Sequence, residues 1–305
     1  MQSPEKPRTD VFSTGADDRS PFDVAPRVRL DRAFSVGVMD PASRLLNLLS
    51  EPRIPILMYH GINAELRRAH PYFETNTSPE LFERHMQFLS TNGYKGIGPE
   101  EVAEAVRNRH NTEKYVAVTF DDGYQDFYRE AFPILRKYGL TATVYVVPGF
   151  ADGHHTGPRG EKYMSWSELK EVSAHGVQIG SHTMTHPRLY ALQPHQINDE
   201  IRQSKELIQE KLGIPVHSFA YPFAFPEQDG GFVRTLRSLL QTNGYRTGVC
   251  TVIGRAHRGH DCLFFPRLPV NSYDDLRLFE VKLNGGYDWL QKVQYSTKLL
   301  KARFS

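Results

Sequence analysis

From Ile54 onward, short continuous apolar runs alternate with longer stretches whose apolar positions recur every three or four residues. Ile54–Tyr59, Tyr115–Phe120 and Thr141–Val147 are runs of the first kind, rich in β-branched and aromatic residues and bounded by polar or Gly-Pro segments. Such runs predict strands covered on both faces. Val177–Gly180, Val216–Tyr221, Tyr245–Thr251 and Leu263–Val270 read the same way. Between them lie helical patterns with their own punctuation. Ser78-Pro79 opens one whose stripe is Leu81, Phe82, His85, Met86, Phe88 and Leu89, and Asn92-Gly93 closes it. A second runs from Pro99 to about Arg109, and a third from Phe127 to Tyr138, stopped by Gly139. Ser165-x-x-Glu168 is a capping box opening a fourth. Gln193–Leu212, ended by Gly213, and Gly231–Asn243 complete the series before helices at the C-terminus.

Strands separated by helices of this length imply βα units and a parallel sheet. About seven units predict an α/β fold of the distorted (β/α) barrel type, with a six-stranded open sheet as the alternative. Residues 1 to about 35 are rich in Pro, Asp, Arg and Ser. They carry too little apolar surface to offset ordering entropy, which predicts a disordered or loosely held tail before a domain spanning 36–305.

Composition narrows the function classes. The 305 residues are 39% hydrophobic and 24% charged, with a net charge of +2. That balance gives no reason to expect nucleic acid or membrane insertion. No apolar run of signal-peptide or transmembrane length is present, which predicts a soluble cytoplasmic protein. Cys250 and Cys262 lack zinc-ribbon spacing and are expected to be structural.

The unusual residues stand where the strands end. Tyr115–Phe120 runs into Asp121-Asp122-Gly123, and Val177–Gly180 into Ser181-His182-Thr183-Met184-Thr185-His186-Pro187. Ile54–Tyr59 runs into His60-Gly61, and the strand ending at Tyr221 into Pro222-Phe223. In parallel α/β folds these carboxyl ends form one face, where active sites are built. His182 and His186, four apart, can face one point from a helical turn. Two imidazoles and a carboxylate make a three-ligand set with open positions, the pattern of a catalytic metal. Adjacent carboxylates on extended backbone point apart, so one ligand and one base is the natural division. Read alone, Asp121-Asp122-Gly123 is equally a turn after a strand.

Thr119-Phe120-Asp121-Asp122-Gly123 together with Ser181-His182-Thr183-x-x-His186-Pro187 resembles the polysaccharide deacetylase family, also called NodB homology or carbohydrate esterase 4. The resemblance spans roughly residues 54 to 270. It implies a divalent metal held by Asp122, His182 and His186, with Asp121 as general base. Zinc suits these ligands, and cobalt, nickel and iron bind similar sets. The third family motif normally reads Arg-x-Pro-Tyr, whereas this chain has Ala220-Tyr221-Pro222-Phe223. The late Leu-x-x-His motif has no match after residue 260. Met58-Tyr59-His60 and Phe265-Pro266-Arg267-Leu268-Pro269-Val270 instead resemble the circularly permuted poly-N-acetylglucosamine deacetylase branch. That resemblance implies His60 as catalytic acid and Arg267 as substitute for the missing arginine. Tyr221, Pro222 and Phe223 are the expected oxyanion and substrate-binding segment, since Pro222 fixes the turn and a backbone N–H near Phe223 can meet the oxyanion. The expected substrate is an N-acetylated sugar in a polysaccharide, oligosaccharide or glycan precursor. A small non-sugar amide and an inactive glycan-binding module are the alternatives. His154-His155 is expected to be a solvated loop pair, and Trp166 and Tyr124 to be packing residues or sugar-stacking faces.

Overall fold

The computed structural model describes residues 29–47, 53–64, 74–108, 114–152, 155–157 and 160–304. Seven strands close into a parallel barrel: β1 (Ile56–Tyr59), β2 (Tyr115–Phe120), β3 (Thr143–Val146), β4 (Gln178–Ser181), β5 (Ser218–Ala220), β6 (Thr247–Ile253) and β7 (Phe265–Pro269). Each pairs with the next, β1 also pairs with β7, and all of these pairings are parallel. Closure settles the choice against the open sheet and follows from the paired registers Ile56↔Ala117 and Leu57↔Leu268. A two-residue strand, Lys95–Gly96, adds to the start of β2, and Gly61–Ile62 pairs with Asn76–Thr77 beside the barrel.

The two faces of each strand serve different cores. Leu57, Tyr59, Val116, Val118, Phe120, Val144 and Val146 pack outward with the helices into the larger apolar cluster. Ile56, Ala117, Tyr145, Val249 and Phe265 belong to the smaller cluster that fills the barrel. Strand side chains alternate with a period of two. Residues in phase with the inner set therefore reach the barrel mouth when a strand ends. His60 follows Ile56 and Met58 in this phase, Asp121 follows Ala117 and Thr119, His182 follows Gly180, and Arg267 follows Phe265. Four chemically active side chains are thus delivered to one opening by parity alone.

The helices keep their predicted signals. Ser78 accepts from Leu81 N–H at the start of Pro79–Thr91, and Ser165 with Glu168 closes the capping box of Trp166–Ala174. Gly213 ends Pro194–Leu212 in the left-handed conformation at φ 69°. The stretch read as a tail lies outside the described residues up to position 28. From Leu30 the chain is helical as far as Asn47, interrupted by a π-helical segment at Ser35–Met39. Its entry is held by Arg29, which donates to Asp31 and to the buried Asp274, itself paired with Lys282 at 2.6 Å. Among the described residues, no helix is long and apolar enough to cross a membrane.

His85 sits wholly inside this packing, stacked on Phe279 with ring centroids 4.0 Å apart. Its Nδ1 lies 3.1 Å from the Tyr59 hydroxyl and its Nε2 3.0 Å from the Asp274 carbonyl. A neutral ring donating from Nε2 satisfies both contacts. Burial pushes its pKa down to about 4 against an ordinary 6.5. The folded state therefore refuses a proton that the unfolded chain accepts. Stability present above pH 6.5 should fall by about 3 kcal/mol as pH drops to 4. A His85→Gln variant should lose this slope in urea unfolding followed between pH 7 and 4.5; an unchanged slope would clear His85.

Candidate active site

The Asp121-Asp122-Gly123 turn separates two neighbouring carboxylates. Asp122 adopts φ 69° and Gly123 φ 74°, so the chain leaves the extended conformation immediately after Asp121. A left-handed conformation is rare for a residue with a side chain, though aspartate tolerates it better than most. The two carboxylates then face different partners, as their proposed division of labour requires.

Asp121 turns to Arg267. The guanidinium donates Nη1 to Oδ1 at 2.6 Å and Nη2 to Oδ2 at 2.7 Å, a bidentate pair in which both side chains are buried. Arg267 is itself held by the Cys250 carbonyl through Nε and by the Thr119 hydroxyl oxygen through Nη1. Burial alone would raise the Asp121 carboxyl. The Arg267 guanidinium, aided by His182, outweighs it and holds the group well below the usual carboxylate range. His60 Nε2 stands 3.9 Å from Asp121 Oδ2, with its ring partly open to solvent.

Asp122 turns to the histidines. Its Oδ1 lies 3.5 Å from His182 Nε2 and 3.4 Å from His186 Nε2, and one donor atom from each of the three residues lies within 4.8 Å of the others. His182 fixes its ring by placing Nδ1 2.8 Å from the Ala220 carbonyl, which leaves Nε2 for a ligand. Burial, reinforced by His182, pushes the pKa of His186 down to about 4, which keeps that ring neutral near pH 7. Two imidazoles and a carboxylate converging from one side are a fitting donor set for a divalent cation with exchangeable positions. This is the one such cluster among the described residues.

The turn that presents the histidines differs from the expected helical one. Residues 182–187 are neither helix nor strand, and Thr183 and His186 both have positive φ, 67° and 56°. Convergence comes from two left-handed kinks rather than from helical periodicity. The segment Tyr221-Pro222-Phe223 divides in a similar way. Tyr221 is only 2% exposed and packs edge-on against Phe225 at 5.0 Å, so its ring belongs to the core rather than to the opening. Pro222 is also buried. Phe223, at φ 59° and 46% exposed, lies on the rim, 4.6 Å from the His186 ring and beneath the Arg188 guanidinium.

Other residues enter that pattern reading undervalued. The Tyr124 hydroxyl hydrogen-bonds Asp122; burial first, and then the Asp122 charge, push its pKa far up, so it remains a donor. Tyr163 packs beside Tyr124 at 5.3 Å, and Phe150 beside Tyr163 at 5.0 Å, forming an aromatic wall. Tyr124 directly follows the Asp-Asp-Gly turn, which is the signal that marks it. His155 is exposed, paired with Asp152 and 5.1 Å from Phe150, while His154 lies outside the described residues. Trp166 is a first-turn packing residue against the outer core. Cys250 and Cys262 are both free thiols.

Comparison with known proteins places this geometry. The family model described as polysaccharide deacetylase matches residues 108–248, which include the Asp-Asp-Gly turn and both histidines. The chain is 32% identical over 233 residues to the Bacillus subtilis (strain 168) family member YxkH, covering 76% of each protein. It is 34% identical over 107 residues to the poly-β-1,6-N-acetyl-D-glucosamine N-deacetylase of Escherichia coli (strain K12), a match covering 32% of this chain and 16% of that protein. Among solved structures, the Streptococcus pyogenes deacetylase PplD in complex with acetate superposes with a TM-score of 0.67 at 28% identity, covering 77% of this chain and 99% of that one. The closed seven-strand barrel, its two motif-bearing turns and the match to YxkH agree, and the chain belongs to the polysaccharide deacetylase family.

Proposed function

We propose that this protein is a metal-dependent hydrolase that removes N-acetyl groups from N-acetylated sugars in a glycan. The observation that carries the reading is the meeting, at one barrel mouth, of an Asp-His-His donor set with an arginine-held aspartate and a histidine 3.9 Å from it. A divalent ion bound by Asp122, His182 and His186, zinc by preference for such ligands, supplies Lewis-acid polarisation of an acetamide carbonyl and acidifies a water molecule.

The protein's own groups do the rest. Asp121 takes a proton from the attacking water as oxygen bonds to the carbonyl carbon. The bidentate Arg267 keeps Asp121 ionised and fixed in direction. The oxyanion of the tetrahedral intermediate meets the backbone N–H of Phe223, at the turn whose conformation Pro222 restricts. His60 gives its proton to the sugar nitrogen as the carbon–nitrogen bond breaks, leaving acetate and a free amine. Tyr124, donating to Asp122, keeps that carboxylate aimed at the histidines.

The sugar part of the reading rests on the relatives and on the rim. The E. coli relative's name specifies a β-1,6-linked N-acetylglucosamine polymer. The exposed Phe223 and the half-buried Phe150 and Tyr124, backed by the buried Tyr163, offer aromatic faces of the kind that pack against a pyranose ring. The test is acetate release from N-acetylglucosamine oligomers of increasing length, compared with small acetamides that lack a sugar. Preference for the oligomers, rising with length, is the expected result. Faster release from the small amides would replace the sugar with a non-sugar amide at the same site.

A further inference from the structure

The four-residue path from His182 to His186 contains two residues in the left-handed region, Thr183 and His186. Such residues are strained and persist only where their surroundings over-determine them. Three contacts hold the path. Within it, the Thr183 hydroxyl oxygen accepts the His186 N–H at 3.0 Å. Behind it, Gly149 N–H donates to the Met184 carbonyl at 3.1 Å, at a position where any Cβ would come within 2.5 Å of that oxygen. The third holder is a charge. Glu200, on the helix Pro194–Leu212, receives Met184 N–H and Thr185 N–H on Oε2, both at 2.9 Å, and the Thr185 hydroxyl on Oε1 at 2.7 Å. Charge-assisted hydrogen bonds of this kind are about twice as strong as neutral ones.

We infer that Glu200 is a positioning residue for the metal ligands. It touches neither the donor set nor the reacting atoms. Its carboxylate clamps the 184–185 stretch of the strained path, and so fixes where His186 stands relative to His182 and Asp122. The inference rests on the metal-centre reading above and adds a residue in the following helix, fourteen positions beyond His186, to what that centre requires.

The test uses the full chain, stripped of metal, and measures zinc affinity by competition with a chromogenic chelator, alongside thermal unfolding of the zinc-free forms. Glu200→Ala should bind zinc 10- to 100-fold more weakly, the range for residues that orient metal ligands. Glu200→Asp keeps the charge but withdraws it by one methylene, and should lose affinity as well. Glu200→Gln keeps a carbonyl oxygen for the two N–H groups but not the charge, and should lose less affinity than Glu200→Ala. The unfolding midpoints of the zinc-free proteins should differ little. Parent-like affinity in both Glu200→Ala and Glu200→Asp would overturn the inference. So would a loss in Glu200→Gln equal to that in Glu200→Ala, or a fall in affinity that merely follows a fall in the zinc-free midpoint. If the parent itself binds neither zinc nor cobalt, the metal-centre reading fails and takes this inference with it.

Discussion

Replacing Asp121 with asparagine should slow acetate release by roughly 10²- to 10⁴-fold while leaving metal binding intact. The donor set consists of Asp122, His182 and His186, none of which the substitution touches. What it removes is a carboxylate whose two oxygens are committed to Arg267 at 2.6 and 2.7 Å and whose second oxygen faces His60. Asparagine has nearly the same shape, but its amide nitrogen would point a donor at a guanidinium that offers only donors. Arg267, with no solvent exposure, would then keep its charge without a full counter-charge. The fold should lose stability as well as the enzyme its base, up to the 3–5 kcal/mol range for breaking a buried pair. Rates should therefore be measured well below the variant's unfolding temperature, with bound metal quantified in the same sample. Turnover within a few-fold of the parent would remove Asp121 from the base role.

The same pair approached from the other side should show its largest effect in stability. Arg267→Met leaves Asp121 buried without its guanidinium, so that burial, no longer opposed by Arg267, raises the carboxyl. A loss of about 3–5 kcal/mol is expected, a fall on the order of 10 °C in the unfolding midpoint. The double variant Asp121→Leu/Arg267→Met removes both charges and should recover most of that loss while remaining inactive, because apolar replacement of a whole buried pair is often neutral. Thermal unfolding of the two single variants and the double variant separates the cost of an orphaned charge from the worth of the pair. An Arg267→Met protein as stable and active as the parent would show that Asp121 needs no such partner.

Much of this arrangement was legible before any coordinates. Strand type and order followed from short apolar runs between capped helices, and the site face followed from where those runs ended. Parity along β1, β2 and β4 then accounts for His60, Asp121 and His182 meeting. Closure was only half legible, because the registers that join β1 to both β2 and β7 depend on side-chain packing across the barrel. The left-handed residues were not legible at all. Asp122, Thr183, His186 and Phe223 all have positive φ where no glycine announces it, so the histidine spacing looked helical. Tyr221 shared a motif with Phe223 and was grouped with it, yet it stands in the outward phase of Phe219 and packs on Phe225 in the core, while the left-handed backbone at Phe223 turns that ring out to the rim. Arg267 lies 146 residues from Asp121 in the chain, too far for any local pattern, and only family resemblance pointed to it. Glu200 acts through backbone N–H groups, which leave no trace in side-chain spacing.

The most direct test of the account is acetate release from N-acetylglucosamine oligomers by metal-stripped protein, before and after zinc or cobalt is restored, with His182→Ala in parallel. The account predicts little release without metal, recovery on adding it, and neither stoichiometric binding nor recovery in His182→Ala. Release that is independent of metal, or undiminished in His182→Ala, would contradict it.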